Sequence, residues 1–250
     1  MAMKGKVYLV GAGPGAPDLL TVKAARLLRQ AELVLHDDLV SPEILKLIPA
    51  RTQVRNVGKR CGHASTSQEE IHSLLISAAR DGRQVVRLKG GDPMIFGRAG
   101  EEIDALRKAG VEFEIIPGVA AALGAAAAAQ ISLTNRSLAS KVVFLSNHHC
   151  AVNTPFQRDD FRCHDATVFV HMPGSDYDGL AARLSAAGLG PETACLIVSR
   201  AASAEEQIHP TTLMELPHAP RLPAPVLLII GAVAGTYCCG KDRGRVPAGA

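Results

Sequence analysis

Two glycine-rich turns are the first places in this 250-residue sequence where residue type and spacing suggest chemistry: Gly11-Ala12-Gly13-Pro14-Gly15 and Gly90-Gly91-Asp92-Pro93. Each follows a run that predicts a strand, Lys6 to Val10 and Gln84 to Leu88. With Ala16, the first turn satisfies G-x-G-x-x-[GA], and Asp37 ends the next predicted strand, so a dinucleotide-binding reading has to be weighed. In that fingerprint the turn opens directly into a helix whose free N–H groups hold the pyrophosphate. Here Pro14 and Pro17 each lack the donor, and helical periodicity starts only near Leu19 or Thr21. Such a turn suits close approach of a ligand to the backbone better than it suits phosphate, although a tight turn without any ligand also explains this motif taken alone.

The second turn repeats the arrangement of a strand emptying into glycines, and ligands of open parallel sheets bind at the carboxyl ends of strands. Two adjacent glycines remove side chains where a cofactor could lie on the backbone, and Asp92 adds a carboxylate that accepts hydrogen bonds from hydroxyls or an ammonium. Together the turns suit an adenosine-bearing ligand that carries no phosphate. By itself, Gly90-Gly91-Asp92-Pro93 is also an ordinary β-turn composition.

The elements that must position these turns follow from periodicity. Strands are predicted at Lys6 to Val10, Glu32 to His36, Gln53 to Asn56, Gln84 to Leu88 and Phe113 to Ile116. Between them, Ala24, Leu27, Leu28 and Ala31 fall at helical spacing, as do Ile71, Leu74, Leu75 and Ala78, and Ser67 with Glu70 has the spacing of a capping box. The alternation implies a parallel sheet. After Pro117-Gly118 the texture changes to an alanine-rich helix from about Val119 to Gln130. Strands follow at Lys141 to Leu145, Thr167 to His171, Thr193 to Val198 and Pro225 to Ile230, with helices around Tyr177 to Ala187 and Thr211 to Leu216. The expected organisation is an N-terminal α/β domain over 1–117, a C-terminal α/β domain over 118–240 and a frayed tail over 241–250. Residues 146 to 165 read as a long loop, and no internal repeat is visible.

Composition sets the outer limits. A net charge of +3 and 4% aromatic residues without tryptophan argue against a nucleic-acid partner. Only four apolar residues precede Gly11, too few for a secretory signal, and no apolar run approaches the length that spans a bilayer, so a cytoplasmic protein without membrane segments is expected. Six cysteines at 61, 150, 163, 195, 238 and 239 form no C-x-x-C pair, and His148-His149-Cys150 with Cys163-His164 lacks finger spacing; neither a metal site nor a disulfide framework is expected.

Val10 to Gly15, Pro17-Asp18-Leu19-Leu20-Thr21 with Lys23-Ala24, Val57-Gly58-Lys59-Arg60, Gln68-Glu69-Glu70-Ile71 and Gly90-Gly91-Asp92-Pro93 through Phe96-Gly97-Arg98 together resemble the tetrapyrrole methylase family. Ile116 to Val119, Leu133-Thr134 with Arg136, and Pro225 to Gly231 extend the resemblance over nearly the whole chain. The Gly-Lys-Arg segment followed by Gln-Glu-Glu-Ile resembles the members that methylate uroporphyrinogen III. The resemblance implies two α/β domains with the cofactor cleft between them, a homodimer, and transfer of methyl groups from S-adenosylmethionine to tetrapyrrole carbons on the way to sirohaem or cobalamin, with S-adenosylhomocysteine as the other product. It also implies cofactor contacts from Pro14, Gly90, Gly91, Asp92, Ile95, Ala120, Ala121, Met172 and Ala201, a proton acceptor at Asp37 and a proton donor at Lys59.

Departures from the pattern fall mainly in the second half. Ala120 stands where the family often has threonine, Asn135 where it has histidine, Ser146-Asn147-His148-His149 where it has Thr-Gly-His, and His171 and Pro173 where tyrosine and glycine are common. Uroporphyrinogen carries eight carboxylates, so a cation-lined cleft is expected; Arg55, Lys59, Arg60, Arg87, Lys89 and Arg98 are candidates, with Arg98 and Lys59 preferred. The readings left open are a methylase of another precorrin position, a nicotinamide-dependent oxidoreductase using the Gly11 turn, and a non-catalytic sensor of an adenosyl ligand.

Overall fold

In the computed structural model, which describes residues 5–58, 66–147 and 165–239, the first five predicted strands form one sheet. The order along the chain is β1 (Lys6–Gly11), α1 (Val22–Gln30), β2 (Leu33–His36), α2 (Pro42–Leu45), β3 (Gln53–Asn56), α3 (Gln68–Arg80), β4 (Gln84–Lys89), α4 (Ala99–Lys108) and β5 (Glu112–Ile116). All five strands are parallel, in the order β3-β2-β4-β1-β5. The inner strands of such a sheet are covered on both faces, and β2 and β4 are correspondingly buried at successive residues. Val7, Leu9, Leu33, Leu35 and Val85 pack with Ile71 and Leu75 of α3 and with Ile103 and Leu106 of α4. Val10, Val34, Val86 and Leu88 pack with Leu27 and Leu28 of α1 and with Ile44 of α2.

Local sequence sets the helix starts. Thr21 caps α1 by accepting a hydrogen bond from the Ala24 N–H, after a 3₁₀ turn at Pro17–Leu19, so no α-helix opens at the first glycine turn. Ser67 and Glu70 make the reciprocal capping box expected ahead of α3. Strands β1 and β4 are neighbours with Gly11 paired to Lys89, and the two glycine turns therefore leave the sheet side by side.

The chain divides into two compact units, Met1–Ala121 and Ala122–Ala250. Following α5 (Ala121–Ala129), the second contains β6 (Lys141–Ser146), β7 (Ala166–His171), α6 (Tyr177–Ala186), β8 (Ala194–Ser199), β9 (Gln207–Thr212), β10 (Val226–Ile230) and α7 (Thr236–Cys239). Its sheet has the order β6-β7-β10-β8-β9 and is mixed: β6 and β7 are parallel, while β10 runs antiparallel to β7 and β8. Tyr177, Leu180 and Leu184 of α6 pack on Val168, Val170, Ile197, Leu228 and Ile230. Cys195 lies in this core as a free thiol, and burial pushes its pKa up to about 12.

One predicted element is wrong. Thr211 and Thr212, expected to open a helix, end strand β9 and pair with Cys195 and Ala194. Two successive β-branched residues favour the pleated conformation. Pro210 is tolerated there because β9 lies at the sheet edge. The three-residue spacing of buried Leu213 and Leu216, which suggests a helix, comes from a turn and a 3₁₀ segment at Leu216–His218. Among the described residues no helix is long and apolar enough to cross a membrane. The predicted tail and most of the predicted long loop, with its histidines and cysteines, lie outside the described residues.

The chain leaving β5 crosses the first turn so closely that a Cβ on Gly118 would sit 2.3 Å from the Gly91 carbonyl oxygen and 2.8 Å from the Gly11 Cα. Both neighbours are backbone and cannot swing aside. Gly100, exposed in the first turn of α4, has nothing within 4 Å of its added Cβ. Gly118→Ala is expected to lower the unfolding free energy by about 3 kcal/mol, whereas Gly100→Ala raises it by about 0.5–1 kcal/mol through helix propensity. Urea denaturation of the two variants checks this, and equal midpoints would remove the close-approach argument.

Candidate active site

The two glycine turns form one backbone unit. The Gly91 N–H donates to the Gly13 carbonyl at 2.8 Å, the Gly13 N–H donates back to the Gly91 carbonyl at 3.1 Å, and the Ala12 N–H donates to the Lys89 carbonyl at 2.8 Å. Gly91 has φ of +65°, a conformation that favours glycine. An added Cβ on it would lie 3.5 Å from the Ala121 nitrogen, which brings this distant candidate beside the turn. Pro14, Gly90 and Ile95 are half-buried around it, and Ala120 is buried.

Asp92 has a structural task as well as a position. Its Oδ1 accepts from the Met94 N–H at 2.8 Å and its Oδ2 from the Gly118 N–H at 3.0 Å. The carboxylate thus ties the second turn to the segment that crosses the first. Each oxygen retains a second acceptor site for a ligand donor.

In the second unit, Met172 and Ala201 follow β7 and β8 at the same end of the sheet, because His171 and Val198 both pair with Leu227 of β10. Met172 has φ of +52°, and Ala201 is flanked by Arg200 at +49° and Ala202 at +59°. Left-handed backbone at residues other than glycine costs about 1–3 kcal/mol each and collects at functional sites. Phe96 at +51° and Arg98 at +54° repeat the feature just past the second glycine turn. Two of the departures from the family pattern hold each other: Asn147 Nδ2 donates to the Pro173 carbonyl at 2.7 Å, and Arg183 donates to Asn147 Oδ1 at 2.5 Å.

Asp37 and Arg98 line one pocket of the first unit, together with Gly58, Thr66, Gln68 and Phe96. Asp37 follows β2, and the turn it opens is braced where Asn56 Nδ2 donates to Asp38 Oδ1 at 2.6 Å. Arg98 forms a fork on Glu101, Nε to Oε1 and Nη2 to Oε2, both at 2.7 Å. That bond raises the Arg98 pKa and holds the Glu101 carboxyl below its usual range. Lys59 and Arg60 lie outside the described residues.

Arg87 and Lys89, candidates for a cation-lined cleft, do line this pocket, but as buried and paired groups. They alternate with Val86 and Leu88 along β4, so both turn to the α4 side of the sheet, where they are buried with Glu102. Arg87 Nε donates to Glu102 Oε1 at 2.9 Å, Lys89 Nζ reaches the same oxygen at 2.9 Å, and Arg87 Nη2 donates to Asp37 Oδ1. Burial works against the charge on Arg87, but Asp37 and Glu102 outweigh it and its pKa is raised. Burial, and then the adjacent Arg87, pull the Lys89 ammonium below its usual range. Their charges are matched inside the protein.

Sequence reasoning missed Glu102, yet its signal is present. Ala99, Glu102, Ile103 and Leu106 are the buried stripe of α4, at i, i+3, i+4 and i+7, and an acid interrupting such a stripe has to find a buried cation. Two basic residues alternating within the otherwise apolar β4 were the complementary sign.

Comparison with known proteins fits this geometry. A family model described as Tetrapyrrole (Corrin/Porphyrin) Methylases matches residues 6–217. A siroheme synthase of Tolumonas auensis is 42% identical over 231 residues, covering 92% of this chain and 49% of its own. The chloroplastic S-adenosyl-L-methionine-dependent uroporphyrinogen III methyltransferase of Arabidopsis thaliana is 41% identical over 237 residues, covering 92% of this chain and 63% of its own. The chain thus spans about half to two thirds of the length of these curated relatives. A solved structure of uroporphyrin-III C-methyltransferase from Thermus thermophilus complexed with S-adenosylhomocysteine has a TM-score of 0.81 and 39% identity, covering 92% of this chain and 99% of that one.

The bracing by Asp92 has a measurable size. Asp92→Ala, which removes both acceptors, is expected to lower the unfolding free energy by about 2–4 kcal/mol, and Asp92→Asn, which keeps one, by about half as much. Denaturant titration of both, with the wild type alongside, measures it; values within about 0.5 kcal/mol of wild type would deny the carboxylate a bracing role.

Proposed function

This chain belongs to the tetrapyrrole methylase family, and from that premise we propose that it transfers methyl groups from S-adenosylmethionine to carbon atoms of uroporphyrinogen III, giving precorrin-2 by way of precorrin-1. The observation that carries the reading is the paired-glycine cradle at the ends of β1 and β4, where Gly11 and Gly118 lie so close to each other and to the Gly91 carbonyl that neither has room for a Cβ. The cradle has no α-helix opening at it, hence no row of free N–H groups aimed at a phosphate, and suits an adenosyl ligand that carries none. Pro14, Gly90, Gly91, Asp92, Ile95, Ala120 and Ala121 are read as contacts to S-adenosylmethionine, with Met172 and Ala201 contributed by the second unit. A homodimer, implied by the family resemblance, working in the cytoplasm, as the sequence leads one to expect, completes the reading.

Bound S-adenosylmethionine supplies an electrophilic methyl group, which leaves sulfur as the electrons of a pyrrole β-carbon form the new bond. The protein has to orient the ring, exclude water and take up one proton that the methylated ring must lose. Asp37 is read as the acceptor: its side chain is 30% exposed, at the pocket, and the buried Arg87 fixes one of its oxygens. Arg98 is read as a contact to a substrate carboxylate, since the Glu101 fork occupies Nε and Nη2 and leaves the Nη1 donors. Lys59 is read as the proton donor.

Mass spectrometry of the reaction with uroporphyrinogen III and S-adenosylmethionine is expected to find a doubly methylated product. Methylation of a later precorrin with uroporphyrinogen III untouched would move the chain to another step. Binding of NADH but not S-adenosylhomocysteine, by calorimetry, would replace the reading altogether. In the same assay Asp37→Asn is expected to lower kcat by about a hundred-fold while S-adenosylhomocysteine binds as before. Unchanged turnover would remove Asp37 from the mechanism.

A further inference from the structure

Asp37 is the exposed end of a charge cluster that otherwise lies inside the first unit. Its side chain is 30% exposed, whereas those of Arg87, Lys89 and Glu102 are 3%, 3% and 0% exposed. The cluster holds two cations and two carboxylates. Glu102 Oε1 collects Arg87 Nε, Lys89 Nζ and, at 3.4 Å, Gln68 Nε2, while Glu102 Oε2 has no hydrogen-bond partner among the described residues. All three nitrogens of the Arg87 guanidinium are held: Nε by Glu102, Nη2 by Asp37, and Nη1 by the Leu35 and Leu88 carbonyls at 3.4 and 3.3 Å. Lys89 Nζ stands 3.9 Å from the other Asp37 oxygen.

Stability is a poor reason for this arrangement. Desolvating three charged groups usually costs as much as their attraction returns, and an apolar packing of similar volume does as well or better. A buried carboxylate with one oxygen lacking a partner adds to the cost. What the cluster does achieve is a fixed direction, because a planar guanidinium held at every nitrogen cannot turn, and the carboxylate bonded to it inherits that constraint.

We propose that Glu102 is a positioning residue: through Arg87, and with Lys89, it sets the orientation of the Asp37 carboxylate in the pocket. This rests on reading Asp37 as the proton acceptor. Glu102 itself touches neither substrate nor cofactor, so its removal acts on turnover and not on binding.

The test is a double-mutant cycle on the full chain, with enzyme in excess over uroporphyrinogen III so that slow variants are still read. Glu102→Gln is expected to slow methyl transfer about ten-fold or more, with KM for both substrates within about two-fold of wild type. In the Asp37→Asn background the same change should cost less than about two-fold, since the group it orients is already gone. Equal losses in both backgrounds, or a loss expressed in KM, would overturn the proposal and make Glu102 merely structural. Should Glu102→Gln not fold, Arg87→Lys enters the same cycle: it keeps the charge but replaces the planar fork, held at three nitrogens, with a single ammonium on a flexible stem, so rapid transfer by this variant also overturns the proposal. If Asp37→Asn alone leaves the rate unchanged, the proton-acceptor reading fails first, and the positioning role with it. A chain that methylates no uroporphyrinogen III at all fails at the earlier step.

Discussion

Three stretches of backbone meet at one point, the end of β1 at Gly11, the turn after β4 at Gly91, and the segment leaving β5 at Gly118, and neither Gly11 nor Gly118 has room for a Cβ there. The contact is possible because β1 stands between β4 and β5 in the sheet, so all three strands deliver their ends to one place. Reciprocal hydrogen bonds between Gly13 and Gly91, and the Asp92 carboxylate reaching the Gly118 N–H, then convert proximity into a fixed surface. A ligand lying there meets main-chain groups whose positions are set by the sheet itself. Backbone groups fixed in this way carry little of the ordering cost that a flexible side chain would bring to binding.

The neighbouring pocket is made differently. Its acidic residue is held by charge instead of by close backbone approach, and the holding groups sit on the face of the sheet that α4 covers. Along β4 that face begins with Val85 in the apolar core and ends with Arg87 and Lys89. The change from apolar to charged therefore falls at the strand end, where ligands of parallel sheets bind. Core and site share one strand and one helix, with Ile103 and Leu106 of α4 in the core beside Glu102.

Much of this was legible in the sequence, and the parts that were not share a cause. The parallel first sheet, the late start of α1 and the capping box before α3 are local signals, read from periodicity and from single side chains such as Thr21, Ser67 and Glu70. The same reasoning failed at Thr211 and Thr212, where the spacing of two buried leucines belonged to a turn and the real signal was pairing with Ala194 and Cys195 across the sheet. It also named Arg87 and Lys89 as cleft candidates without foreseeing that they are buried on a shared carboxylate. Which face of β4 they occupy, and that Glu102 waits there, depends on how α4 packs, and packing between distant elements leaves only indirect marks in a sequence.

Strand β9 carries a consequence of another kind. A sheet edge exposes unpaired backbone groups that can recruit a strand from a second chain, and proteins protect such edges with prolines, charges or short strands. In the second sheet, β9 is an edge with Pro210 near its centre. In the first, the edge strand β3 has only four residues, among them the exposed Gln53, Arg55 and Asn56. Pro210, which removes a donor from the middle of β9, therefore works against the addition of a further strand there.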